Sequence, residues 1–171
     1  MRSIEDFNAA PADEVTAALL ACCAVPGWAA AVAEGRPYAD APALLARADR
    51  AARRLTPAEV DLALAAHPRI GERPAGADPE AAWSRQEQAA VHRDPDDTGD
   101  TETARALAEG NRAYEDRFGR VYLVCASGRS GAELLADLRQ RLGHDDATEA
   151  AVVADELRKI ALLRLGKVVV S

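Results

Sequence analysis

The sequence predicts an all-α protein, a single-domain bundle of about eight helices, and three observations carry that expectation. Ala, Leu, Arg and Glu dominate, while Phe, Trp and Tyr together make up only 4% of the 171 residues, a mix that favours helix over sheet. Apolar residues recur at intervals of three and four along most of the chain. Pro, Gly, Ser and Thr fall where those stretches should start or stop. The first helix spans 11–24, with Val15, Leu19 and Leu20 on its apolar face. Pro26-Gly27 interrupts it, 28–33 forms a short second helix, and 42–55 the third. The fourth, 57–66, opens on Thr56 as N-cap, Pro57 at the first helical position and Glu59 as the carboxylate of a capping box. A Gly/Pro-rich loop over 71–79 leads to a fifth helix at 80–91, and a polar, acidic loop over 93–100 to a sixth at 101–118. Gly119 then suits the C′ position. Residues 121–125 have the β-branched and aromatic character of a strand. No comparable run precedes the C-terminus, so they should pack as a buried extended segment. Ser130 and Glu133 form a second capping box opening 130–142. The last helix, 148–165, carries Val152, Val153, Leu157, Ile160 and Leu163 at helical spacing. Without a repeat or a linker, one domain covers 1–171.

Length and charge bound the function. A chain of this size can bury a substantial core. Its net charge of −7 argues against a nucleic-acid partner unless basic residues cluster locally. Arg47, Arg50, Arg53 and Arg54 lie within one helix, interleaved with Asp49 and alanines, and read as a solvated face in preference to a phosphate site. Cys22 and Cys23 are adjacent, Cys125 sits in an apolar run, and the count is odd, which fits thiols in a reducing compartment. With no membrane-length apolar stretch, no signal-peptide core after Met1 and no address at Lys167–Ser171, the expected location is cytoplasmic, with no membrane partner.

The most informative run is His67-Pro68-Arg69-Ile70-Gly71-Glu72. Pro68 disfavours α geometry at His67, so the helix should end at about that residue. The partial negative charge of the last carbonyls favours a protonated imidazole there. Such a histidine is either a proton carrier or an ordinary surface residue at a helix stop. In 80–91, Ser84, Glu87 and Gln88 share one face. They form either a polar pocket wall suited to ureido and carbonyl groups or a solvent face; Trp83 beside them reads as core. His67, His92 and His144 lack metal-ligand spacing. Walker A, GxGxxG and GxSxG patterns are absent, and Ser127–Gly131 reads as helix capping.

Taken together, these runs resemble the 2-oxo-4-hydroxy-4-carboxy-5-ureidoimidazoline (OHCU) decarboxylases of uric acid catabolism. The matching pieces occur in family order across nearly the whole chain. They are HP-x-x-G at His67–Gly71, Ser84-Arg85-Gln86-Glu87-Gln88, Asn111-x-x-Tyr114 leading to Phe118-Gly119, Leu123 to Ser130, and Glu156-x-x-Lys159-Ile160-x-x-Leu163-Arg164-Leu165. The resemblance implies an all-α fold without metal or organic cofactor, a homodimer, and conversion of OHCU to (S)-allantoin and carbon dioxide. It implies His67 as the catalytic histidine, aided by Glu87, with Pro68 lining the pocket. Ser84, Arg85, Gln86 and Gln88 lie in its substrate-binding helix. Phe118, Gly119, Arg120, Val121, Tyr122 and Leu123 match a segment whose backbone faces the ligand, and Arg164 is within the set expected to reach the substrate carboxylate or else to suit a helix C-terminus. Many members read FGFPF where this chain reads Phe118-Gly119-Arg120-Val121-Tyr122, so Arg120 is a departure that bears on pocket charge. A decarboxylase of a related ureido acid, or a catalytically silent helical binding module, remains as the alternative.

Overall fold

The computed structural model describes residues 3–65, 67, 69–71, 79–87 and 98–169, and among them are nine α-helices and no strand. The helix missed by periodicity is α1 (Ile4–Ala9), six residues long, too short to show a repeat. Ser3 caps it by accepting from the Asp6 N–H, and Phe7 is its one buried residue. Tertiary bonds hold it: the Asn8 amide exchanges two hydrogen bonds with the Tyr38 backbone, and Arg36 Nη1 donates to the Phe7 and Ala10 carbonyls.

The chain divides into two compact units, one of residues 1–66 and 154–171, the other of 67–153. The first contains α1, α2 (Ala12–Cys22), α3 (Pro26–Ala33), α4 (Ala41–Ala52), α5 (Pro57–Leu64) and most of α9 (Asp146–Val168). Val15, Leu19, Trp28, Val32, Leu44 and Ala48 are fully or almost fully buried and build its core. The Trp28 indole N–H is satisfied by the Ala48 carbonyl at 3.1 Å. Asp40 caps α4, and the Thr56–Glu59 capping box opens α5 as its sequence predicts. Arg158 of α9 reaches Asp49 of α4 at 2.6 Å.

The second unit contains α6 (Pro79–Glu87), α7 (Thr98–Phe118), α8 (Gly131–Arg141) and the first turns of α9. The acidic loop expected over 93–100 is helical from Thr98 on, where Thr and Asp suit a helix start. Residues 88–91, expected to be helical, lie outside the described residues. Helices α7 and α8 approach closely because Gly110 has no side chain: a Cβ there would lie 2.6 Å from Leu138 Cδ2. Leu107, Tyr114, Leu134 and Leu138 form the core, and Tyr122, Val124 and Ala126 pack into it from the irregular segment after α7. That segment is buried over Tyr122–Val124 and makes no strand pairing among the described residues, as its isolation in the sequence implies.

Candidate active site

Helix α5 ends at Leu64, where the Ala65 N–H closes the last turn on Asp61, and His67 follows three residues after Leu64. The helix stop therefore comes slightly before the histidine. His67 is only 9% exposed, so it is not the surface histidine of the bland alternative. The segment carrying it is fixed to α7 at three points. The Ile70 side chain enters the core cluster, and the Ile70 carbonyl accepts from Asn111 Nδ2 at 2.8 Å. Arg69 makes a two-pronged ion pair with Glu115, at 2.5 and 2.8 Å. Asn111 and Glu115 are one turn apart on α7, so one helix face holds consecutive residues of the loop. Gly71, at φ +88°, turns the chain away through a backbone conformation that favours glycine. A cavity of about 250 Å³ opens beside this segment, lined by Arg69, Ile70, Gly71, Asn111 and Arg112 among others.

Helix α6 turns Ser84 (3% exposed) and Glu87 (8%) inward, while Arg85 and Gln86 are exposed and Trp83 is half-buried. Two members of the predicted stripe thus lie on a buried face, which removes the solvent-face alternative for them. Pro68 and Gln88 lie outside the described residues. An imidazole, a hydroxyl and a carboxylate are therefore buried within one unit. Such groups are tolerated away from water only when neighbours or a ligand compensate them.

The segment from Phe118 to Leu123 is held by its side chains. Phe118 stacks at a tilt on Tyr114, with centroids 4.7 Å apart. Gly119, at φ +64°, ends α7 with its N–H on the Glu115 carbonyl. The Tyr122 hydroxyl donates to Asp137 at 2.6 Å, and burial followed by that bond pushes the phenol well above its ordinary range. Arg120 and Val121 are half-buried. The Leu123 carbonyl accepts from Arg141 Nη1 at 2.8 Å. Arg141 is anchored by Glu149, a 1%-exposed carboxylate that also accepts from the Tyr114 hydroxyl and meets His144 Nδ1 at 2.9 Å.

Sequence reasoning did not find Asn111, Glu115, Arg141 or Glu149 as supports of this region. Asn111 and Glu115 are legible as a same-face pair, but their partners lie 41 and 46 residues away. Arg164 is 1% exposed and belongs to the first unit.

Comparison with known proteins places the chain in a family. The family model for OHCU decarboxylase matches residues 8–166. A 2-oxo-4-hydroxy-4-carboxy-5-ureidoimidazoline decarboxylase of Amia calva is 32% identical over 84% of this chain and 81% of its own. The uric acid degradation bifunctional protein of Arabidopsis thaliana is 35% identical over 61% of this chain, a match spanning about a third (32%) of that longer protein. A crystal structure of OHCU decarboxylase in the presence of (S)-allantoin superposes with a TM-score of 0.71 at 25% identity, covering 87% of this chain and 94% of that one. Fold and relatives define an all-helical enzyme of the decarboxylase class. More particularly, the chain belongs to the OHCU decarboxylase family.

Proposed function

We propose that the protein decarboxylates OHCU to (S)-allantoin, with His67 as acid/base. The observation that carries this reading is the burial of His67, Ser84 and Glu87 on two family motifs within one unit. In OHCU one carbon bears both the hydroxyl and the carboxylate, and the neighbouring carbon, which bears the ureido group, belongs to a C=N bond. The C–COO⁻ bond breaks, its electron pair forms a C=C bond to that neighbour, and the C=N pair moves onto nitrogen, which takes a proton. The resulting enol loses its hydroxyl proton as the ureido-bearing carbon gains one. One proton is taken up overall and carbon dioxide leaves. The substrate is its own electron sink, so the protein's task is to orient the carboxylate and move protons.

His67 is the group for those transfers, and delivery from one face sets the S configuration. Glu87 holds the imidazole's tautomer or grips ureido N–H groups, while Ser84 and Gln88 bond the carbonyls. The backbone of 118–123 faces the ligand, and Arg85 and Gln86 continue the binding helix. The same reading makes the protein a cytoplasmic homodimer acting as one domain over 1–171, a state that light scattering checks.

The test is to mix the protein with freshly generated OHCU and follow the circular dichroism of allantoin. Rapid one-handed product supports the reading; racemic product at the enzyme-free rate sinks it. General acid/base action contributes about 10²–10⁴-fold, so His67→Asn should lose at least about a hundredfold in turnover while keeping the native far-UV spectrum. A variant of near-normal activity would remove His67 from the mechanism.

A further inference from the structure

The four arginines that read as a solvated face are not equivalent in the fold. Arg53 pairs with Asp49 at 2.9 Å, on the exposed side of α4. Arg47, Arg50 and Arg54 instead converge on a separate cavity of about 230 Å³ within the first unit. Their spacing of three and then four residues puts them on one helix face, and the Arg54 N–H to Ala51 bond carries that face two residues past the end of α4. Arg47 is half-buried and fixed, its Nε–H donating to the Ala31 carbonyl at 3.0 Å. Among the described residues, Arg47, Arg50 and Arg54 have no carboxylate partner. Trp28, Ala51 and Leu55 give the cavity an apolar wall.

Among the described residues, Glu59 is the one acidic group on the cavity. Its carboxylate is committed to the capping box, accepting from the Thr56 N–H and hydroxyl at 2.8 Å each, and the backbone bond from Thr56 holds it below the ordinary carboxylate range. Three guanidiniums against one carboxylate leave the cavity at +2, in a chain whose net charge is −7. That local excess focuses anions. The field extends to Tyr38, where burial pushes the phenol up against the opposing pull of Arg47, Arg50 and Arg36.

We propose that this cavity binds a small phosphate monoester, its phosphate held by Arg47, Arg50 and Arg54 and its organic body against Trp28, Ala51 and Leu55. Three guanidinium forks offer more donors than the two oxygens of a single carboxylate can accept. The three terminal oxygens and near-double charge of a monoester match both the donors and the +2 site. The volume falls below the roughly 300–1,000 Å³ of drug-sized pockets, which selects a compact ligand.

The native protein would be titrated calorimetrically at low salt with phenyl phosphate, inorganic phosphate and benzoate. Expected is saturable one-to-one binding of phenyl phosphate at about 0.1–1 mM, with benzoate and inorganic phosphate each weaker by about tenfold or more. The double variant Arg50→Gln/Arg54→Gln, altered at two exposed positions, should lose about tenfold or more in affinity. Arg53→Gln, whose guanidinium pairs with Asp49 and does not line the cavity, should bind as the parent does. The proposal is overturned by any of three results: no saturable binding up to about 10 mM, benzoate as tight as phenyl phosphate, or Arg53→Gln as damaging as the double variant. None of these readouts depends on OHCU turnover.

Discussion

Replacing Glu149 by Gln keeps the side chain's volume and deletes one buried charge, which makes it a sharp probe of what holds the segment from Gly119 to Leu123. In the native protein this carboxylate accepts from Arg141 Nε at 2.9 Å and Nη2 at 2.5 Å, as well as from Tyr114. The Arg141 side chain is 3% exposed, so a guanidinium deprived of Glu149 cannot turn to water. Among the described residues the other carboxylate paired with Arg141 is Asp137 at 3.6 Å, itself 27% exposed, a partner too distant and too solvated to substitute. The amide also points donors at Arg141 or His144, both of which already donate. Breaking one side of a buried pair typically costs about 3–5 kcal/mol. For a chain of this size each kcal/mol shifts the melting temperature by about 2–4 °C, so a fall of about 6–20 °C is expected. Because Arg141 also holds the Leu123 carbonyl, turnover should fall as well. The assay is thermal and urea unfolding of the parent, Glu149→Gln, Glu149→Leu, Arg141→Met and the double variant Arg141→Met/Glu149→Leu. The double variant removes both charges and should recover much of the loss, since apolar replacement of a whole buried pair is often close to neutral. A loss below about 1 kcal/mol in Glu149→Gln, or strictly additive damage in the double variant, would refute the argument.

Asn111→Leu removes the donor to the Ile70 carbonyl, a buried bond whose loss costs about 1–3 kcal/mol; on the His67 reading, OHCU turnover should drop further than the unfolded fraction explains, and equal losses would make Asn111 merely structural. The Arg69 bond holds Glu115 below its ordinary value of 4.5, so the pair's contribution is present above that pH and disappears as pH falls through the lower folded value. The partners are 46% and 24% exposed, which limits the contribution to about 1 kcal/mol or less; unfolding curves of the parent and Arg69→Gln should differ at neutral pH and converge in acid. All three tyrosines, Tyr38, Tyr114 and Tyr122, have phenols raised above 10.0, chiefly by burial. Folding therefore favours the neutral phenols, with full effect below about pH 10 and progressive loss above it; tyrosinate absorbance should rise together with alkaline unfolding, and a native-state titration near pH 10 would contradict the burial.

Helix identity and helix ends were legible because they depend on near neighbours. The Thr56–Glu59 and Ser130–Glu133 boxes each close within four residues, and Gly119 supplies the left-handed turn that ends α7. The family motifs were equally legible, since His67, Ser84 and Glu87 lie in short contiguous runs. The α1 helix was not, because six residues show no period and its anchors, Asn8 to Tyr38 and Arg36 to Phe7, join positions about 30 apart. The irregular buried segment from 121 was anticipated from a different fact, the want of any second strand to pair with it.

What the sequence by itself determined is therefore the helical class, the capped ends and the residue set of the family, all fixed by local propensity and by contiguous motifs. Tertiary structure alone decided which polar groups are buried and what compensates them. Gly110 reads as a weak point in a long helix until Leu138 is seen to occupy the space its side chain would fill. Glu149 reads as an ordinary acidic residue in the first turn of α9 until Arg141 and Tyr114 close on it. Burial and ion pairing depend on which distant side chains share a low-dielectric space, and that is settled only when the helices pack.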